Sequence, residues 1–186
     1  MTVNQAVRQP LRARPHSRRS LDQRIAIRFP TLSALLVRSF ARLSPASRIR
    51  RALLARTMRM SCEAYNRRDL DAVAIAFHPE LEYLPYREFI EAGLVEPYYR
   101  GHAGYKSYIE ATEDVWGQEV RLFPREVIDL GDRVVLLADM PMRAQASGIS
   151  LAETYACVST LRDGRVIRQE DYLTHAEALR EVGLRE

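Results

Sequence analysis

The chain has 186 residues, a formal charge of +4, and 47% hydrophobic against 28% charged residues. That is ordinary for a soluble protein and enough for one well-buried domain plus an extension. Two cysteines, Cys62 and Cys157, make no disulfide framework and share no metal-like spacing, so reduced, packed thiols in a cytoplasmic protein are expected. No apolar run near the start is long enough for a leader h-region or a membrane span.

The charge is split along the chain. Residues 1–51 carry 12 Arg against one acid, Asp22, a balance of +11; residues 52–186 carry 16 Lys or Arg against 23 acids, a balance of −7. Residues 1–20 bear Arg and Pro with no hydrophobic periodicity and read as disordered. A short amphipathic helix is predicted over 31–43, with Leu32, Leu35, Leu36, Phe40 and Leu43. Ser44-Pro45 breaks it, and Ser47 caps a second helix over 48–66, where Leu54, Met58, Cys62 and Tyr65 recur at helical spacing.

Asn66 and Asp69 mark a turn and a new cap. Leu70, Val73, Ala74 and Phe77 continue as a helical stripe that His78-Pro79 ends. A strand over 81–86 is followed by an irregular acidic and aromatic stretch to Arg100. Gly101 and Gly104 bracket the start of a third helix with Tyr105, Tyr108, Ile109, Thr112, Val115 and Trp116 on one side. Beyond Gly117 the period falls to two. Strands are expected near 119–129, 133–143, 151–162 and 165–173, joined at Gly131-Asp132, Ser147-Gly148 and Asp163-Gly164. Asp163-Gly164 is a type I′ hairpin signal. On the last strand Val166, Arg168, Glu170 and Tyr172 alternate with Ile167, Gln169, Asp171 and Leu173. Thr174 and Glu177 then form a capping box, and Gly183 supplies a left-handed stop. Helices first and a strand meander second define an α+β fold with an antiparallel sheet.

YNRRDLDAV at the second helix, YRGHAGY at the third, VIDLGDRVVLL at the central hairpin and RQEDYLTHAEAL at the end together resemble the SnoaL-like branch of the nuclear-transport-factor-2-like superfamily. The likeness covers about residues 48–184, with 1–47 as a basic, partly disordered extension carrying a short helix. It implies a cone-shaped α+β barrel: a curved antiparallel sheet wrapped around three helices, enclosing a blind apolar cavity. It also implies pairing into a homodimer through the outer sheet face. Polyketide cyclases, ketosteroid isomerase, epoxide hydrolases and members without known activity share the fold, so the fold does not fix the function.

Asp171 is the leading candidate for chemistry. A carboxylate among apolar neighbours has a raised pKa and exchanges protons near neutrality, and the resemblance supports an acid on a late strand. The alternative is a structural acid that caps backbone or pairs with an Arg at the rim. Asp139 and Glu153 are of second rank, facing either the cavity or the surface. Tyr83, Tyr86, Trp116 and Tyr155 line a pocket or serve as plain core. His78, His102 and His175 read as helix-edge or turn residues.

No metal cluster, phosphate loop, nucleophile elbow or nucleotide fingerprint is present, so no cofactor is expected. The reading is a domain for a hydrophobic, oxygen-bearing small molecule. If an enzyme, it is an isomerase, cyclase or hydratase/hydrolase type; otherwise it is a non-catalytic binding or dimerisation module. The basic arm reads as a solvated tail, a membrane-surface contact or a nucleic-acid contact. No aromatic interleaves its arginines before Phe29, so nucleic acid is not the expected partner.

Overall fold

The computed structural model describes residues 6–11, 18–116, 120–143 and 150–185. Among the described residues seven strands form one sheet, in the order β1 (Val7–Pro10), β4 (Phe123–Asp129), β5 (Arg133–Arg143), β6 (Ser150–Arg162), β7 (Arg165–Tyr172), β2 (Phe77–Leu84) and β3 (Tyr99–Arg100). Its centre is the expected meander of β4, β5, β6 and β7, all antiparallel. The sheet is mixed at one point, where β2 runs parallel to β7, and β3 extends it antiparallel. The predicted turn at Ser147-Gly148 lies outside the described residues.

Period two separates two cores. Val134, Leu136, Ala138, Met140 and Met142 of β5 face α3 (Arg48–Asn66), meeting Ala55, Met58 and Cys62. Val135 and Leu137 face the other way, with Ile128, Ala156 and Val158, and are covered by α7 (His175–Glu181) through Ala178 and Leu179. The sheet curls round α3, α4 (Leu70–Ala74) and α6 (Gly101–Trp116). There Tyr83 and Leu81 of β2 pack on Val73, Tyr105, Tyr108 and Ile109.

Several local signals operate as read. Asp163 and Gly164 both take positive φ, 53° and 77°, as a type I′ turn requires. Thr174 and Glu177 form the capping box, Asp69 accepts from the Ala72 amide, and Ser47 from that of Arg50.

Three local expectations need correction. The stripe to Phe77 is not one helix, because α4 ends at Ala74. Phe77 pairs with Val166, and its ring meets that of Tyr105 at 4.8 Å. Pro79 is tolerated because the β2–β7 register shifts between Phe77 and Glu82, where no ladder donor is needed. The stretch after Tyr86 contains a short helix, α5 (Arg87–Glu91). Residues 1–20 are not a tail throughout, since β1 (Val7–Pro10) pairs with β4 and closes that edge with a Pro.

Two helices follow: α1 (Leu21–Arg28), opened by a Ser20/Gln23 capping box, and α2 (Pro30–Ala41). A buried ion pair clamps this region to the sheet. Arg50 Nε and Nη2 reach Asp129 Oδ2 and Oδ1 at 2.7 and 2.8 Å, and Nη1 donates to the carbonyls of Ala41 and Leu43. With Arg50 8% and Asp129 2% exposed, nearly every donor is matched, as a desolvated pair demands.

Candidate functional site

The inner end of β7 is built by a bulge. Leu161 pairs with Val166 while Thr160 pairs with Arg168, so Ile167 is the extra residue. Strict alternation puts Val166 on the opposite face from Asp171; the bulge turns both inward, together with Gln169. Asp171 lies opposite Cys157 of β6 and is 7% exposed.

Its carboxylate accepts from three side chains. The Tyr83 hydroxyl donates to Oδ2, the Tyr155 hydroxyl to Oδ1 at 3.0 Å, and Gln169 Nε2 to Oδ1 at 3.0 Å. Gln169 also donates to the Tyr155 oxygen at 3.1 Å, fixing which way that hydroxyl points. Burial pushes the Asp171 pKa from 3.8 up to about 6, with the Tyr83, Gln169 and Tyr155 donors pulling the other way. Desolvation therefore outweighs three hydrogen bonds, and the group changes charge just below neutrality.

Tyrosines dominate the surrounding cavity. Tyr65, Tyr83, Tyr86, Tyr105, Tyr108 and Tyr155 all line it, and burial raises the pKa of each. They are accordingly fixed as O–H donors and are poor bases. Tyr86 is 2% exposed, and its hydroxyl has no hydrogen-bond partner among the described residues. Phe89, Leu122, Met140 and Met142 supply the apolar wall.

At one side stands Arg68, in the left-handed region at φ 58°, which a non-glycine residue adopts only at a cost. Its Nε is 2.9 Å from Glu113 Oε1, without hydrogen-bond alignment, and its guanidinium lies 4.9 Å from the Tyr65 ring centroid. The free space is narrow, about 40 Å³, room for roughly two or three waters. The expected dry, apolar hollow is thus a small, hydroxyl-rich cavity.

The site residues inferred from the sequence fall into three groups. Asp171, Tyr83, Tyr86 and Tyr155 converge on the cavity. Asp139 does not reach it: the residue shares the outer phase of Val135 and Leu137 and is held by Arg125 Nε at 2.6 Å. Glu153 has the inward phase of Tyr155 but stands exposed near the start of β6 and is not a lining residue. The Trp116 side chain lies outside the described residues.

The histidines serve elsewhere: His175 Nε2 donates to the Ala138 carbonyl at 2.9 Å, and His102 Nε2 to that of Phe77 at 3.3 Å. Sequence reasoning missed Gln169, Arg68 and the role of Tyr65, Tyr105 and Tyr108. The pairing of an amide two residues before a buried acid was the one available signal. Cys157, inside the same core, is buried with its thiol pushed up to about 12 by desolvation, so it stays protonated. No group of three or more His, Cys, Asp or Glu gathers among the described residues, and no described helix is long and apolar enough to cross a membrane.

This α+β cone is an architecture of the nuclear-transport-factor-2-like class. The family model for the SnoaL-like domain matches residues 58–169, and the chain belongs to that family. Among solved structures, a nuclear-transport-factor-2-like protein of unknown function from Burkholderia pseudomallei K96243 is 30% identical, with a TM-score of 0.57, over 69% of this chain and 95% of that one. TerC co-crystallised with polyporic acid is 28% identical, with a TM-score of 0.56, over 64% and 89% of the two chains. A protein of Catenulispora acidiphila DSM 44928 with a ketosteroid isomerase-like fold, in complex with trimethylamine, is 15% identical at a TM-score of 0.52, covering 69% and 92%; this likeness is one of fold alone. No curated protein matches the sequence.

Proposed function

We propose that this domain binds a hydrophobic, oxygen-bearing small molecule and carries out cofactor-free acid–base chemistry on it, with Asp171 moving the proton. The observation that carries the reading is a carboxylate walled in by tyrosines, with its proton affinity raised to about 6. Above that pH the ionised group takes a proton from an acidic C–H or O–H of the ligand and returns it at another position, the net change of an isomerisation or cyclisation. Negative charge left on the ligand oxygen needs a donor that the protein has not already used. Tyr86 offers a hydroxyl without a partner among the described residues, and Arg68, its charge balanced by Glu113, offers N–H groups at the same wall that make no hydrogen bond among the described residues. The likeness to TerC, crystallised with polyporic acid, supports an organic acid or related oxygenated ligand.

The test uses 2-tetralone, a hydrophobic enolisable ketone, in deuterated buffer. Exchange of its acidic hydrogens is expected to exceed the buffer rate and to rise with pH through about 6. In folded Asp171→Asn it falls on the order of a hundredfold. Exchange equal to buffer at every pH counts against the proton-transfer role. One observation favours a second reading, a non-catalytic dimerisation module: about 40 Å³ is far below a drug-sized pocket. Under the first reading a ligand enters as the flexible Met140 and Met142 side chains give way.

A further inference from the structure

Helix α2 is unusual for its composition. Its twelve residues, PTLSALLVRSFA, hold one charge, Arg38, and none of them is buried. A helix apolar round most of its circumference is normally enclosed. Of the twelve large hydrophobic side chains exposed among the described residues, nine lie between positions 21 and 49. Leu21, Ile25, Phe29, Leu32, Leu35 and Leu36 are all more than half exposed, Leu35 at 59%. Leu32, Leu36 and Phe40 also wall an apolar groove of about 420 Å³ beneath the helix, which they share with Leu54 and Met58 of α3. A patch this concentrated marks an interaction surface.

The charges round the patch say what covers it. Residues 18–51 hold nine arginines against one acid, Asp22, and three of the nine, Arg19, Arg38 and Arg50, are paired with Asp69, Asp163 and Asp129. Asp22 is already taken by Arg56 at 2.6 Å. Arg18, Arg24, Arg28, Arg42 and Arg48 are exposed, with no ion-pair partner among the described residues. A second copy of the chain would set two such clusters against each other. A nucleic acid would match the charge and leave the leucines in water. An anionic phospholipid bilayer satisfies both, with phosphate at the rim and hydrocarbon beneath.

We propose that α1 and α2 form a docking surface for anionic membranes, on which the protein lies peripherally with the leucine and phenylalanine side chains in the headgroup boundary. The proposal goes beyond the acid–base reading of the cavity and does not depend on it.

The test pellets the full-length protein with vesicles of phosphatidylcholine alone and of equal phosphatidylcholine and phosphatidylglycerol. Binding is expected only to the anionic vesicles and weakens as salt is added. Arg28→Gln with Arg42→Gln, at exposed positions, lowers affinity by about thirtyfold. Leu32→Glu with Leu35→Glu lowers it at least about tenfold, and both double variants keep the wild-type melting temperature. The proposal is overturned by equal pelleting with neutral lipid, by no pelleting, or by binding that the variants leave unchanged. It is also overturned if the leucine variant converts a lipid-free dimer to monomer in light scattering, because the patch then belongs to a second copy.

Discussion

Replacing Asp171 with Asn gives the stability of the fold a different dependence on pH, and the size of the change follows from the burial of the carboxylate. In the unfolded chain Asp171 titrates near 3.8; in the fold it titrates at about 6. Below pH 3.8 both states hold the proton and the group contributes its full stability. Between the two values the unfolded chain releases the proton while the folded protein keeps it, so stability falls as pH rises. Above about 6 the loss is complete. At roughly 1.4 kcal/mol per pH unit, ionising Asp171 costs the wild type on the order of 3 kcal/mol.

An Asn at 171 escapes that cost but loses part of the hydrogen bonding from Tyr83, Tyr155 and Gln169, a penalty of about 1 kcal/mol that does not vary with pH. The difference between pH values isolates the titration. Urea unfolding of both proteins at a series of pH values is the assay. The variant is expected to gain on the wild type by about 2.4 kcal/mol between pH 4 and pH 8, since the unfolded chain is already partly ionised at pH 4. A difference that stays flat across that window would mean Asp171 titrates alike in both states, and the electrostatic reasoning would be refuted.

Tyr83→Phe removes the donor to Oδ2, so the titration midpoint of Asp171 is expected to move upward, readable by carboxyl-carbon NMR; a downward move contradicts the hydrogen-bond assignment. Arg50→Met strands Asp129 in the core at a cost of roughly 3–5 kcal/mol, measurable by chemical denaturation, with Arg50→Lys recovering only part of it because the fork is lost. Gly164→Ala places a Cβ at φ 77°, 2.7 Å from Val37 Cγ1 and 2.8 Å from the Val37 carbonyl. It is expected to destabilise by roughly 1–3 kcal/mol and to make α2 more sensitive to limited proteolysis; unchanged proteolysis would show that α2 does not rest on the hairpin.

The closing hairpin and helix were legible because their signals are local. Asp163-Gly164 and the Thr174/Glu177 box each settle their own conformation within a few residues, and the meander follows from alternation. What escaped depends on distant partners or on a one-residue shift. Val7–Pro10 becomes a strand only because β4 offers an edge. Phe77 leaves its helical stripe because Val166 and Tyr105 hold it in the sheet. The bulge at Ile167 reassigns Val166 to the inner face, which no period-two count anticipates.

The candidate site shows the same division. Asp171 stood out as an acid in an apolar phase. Its closest amide partner, Gln169, and the tyrosines of α3 and α6 acquire meaning only when strand and helices are brought together. Asp139 and Glu153 were equally acidic and equally in phase with neighbours; one sits on the outer layer and the other stands exposed, a distinction set by the curvature and ends of the sheet.

The claim that a proton on the last strand is exchangeable near neutrality is met most directly by following the side-chain carboxyl carbon of Asp171 in labelled protein from pH 3 to pH 9. A midpoint near 6 is the result expected from its burial among tyrosines. A midpoint at or below 4 would show an ordinary, well-solvated acid, and the proton-transfer account of this domain would not survive it.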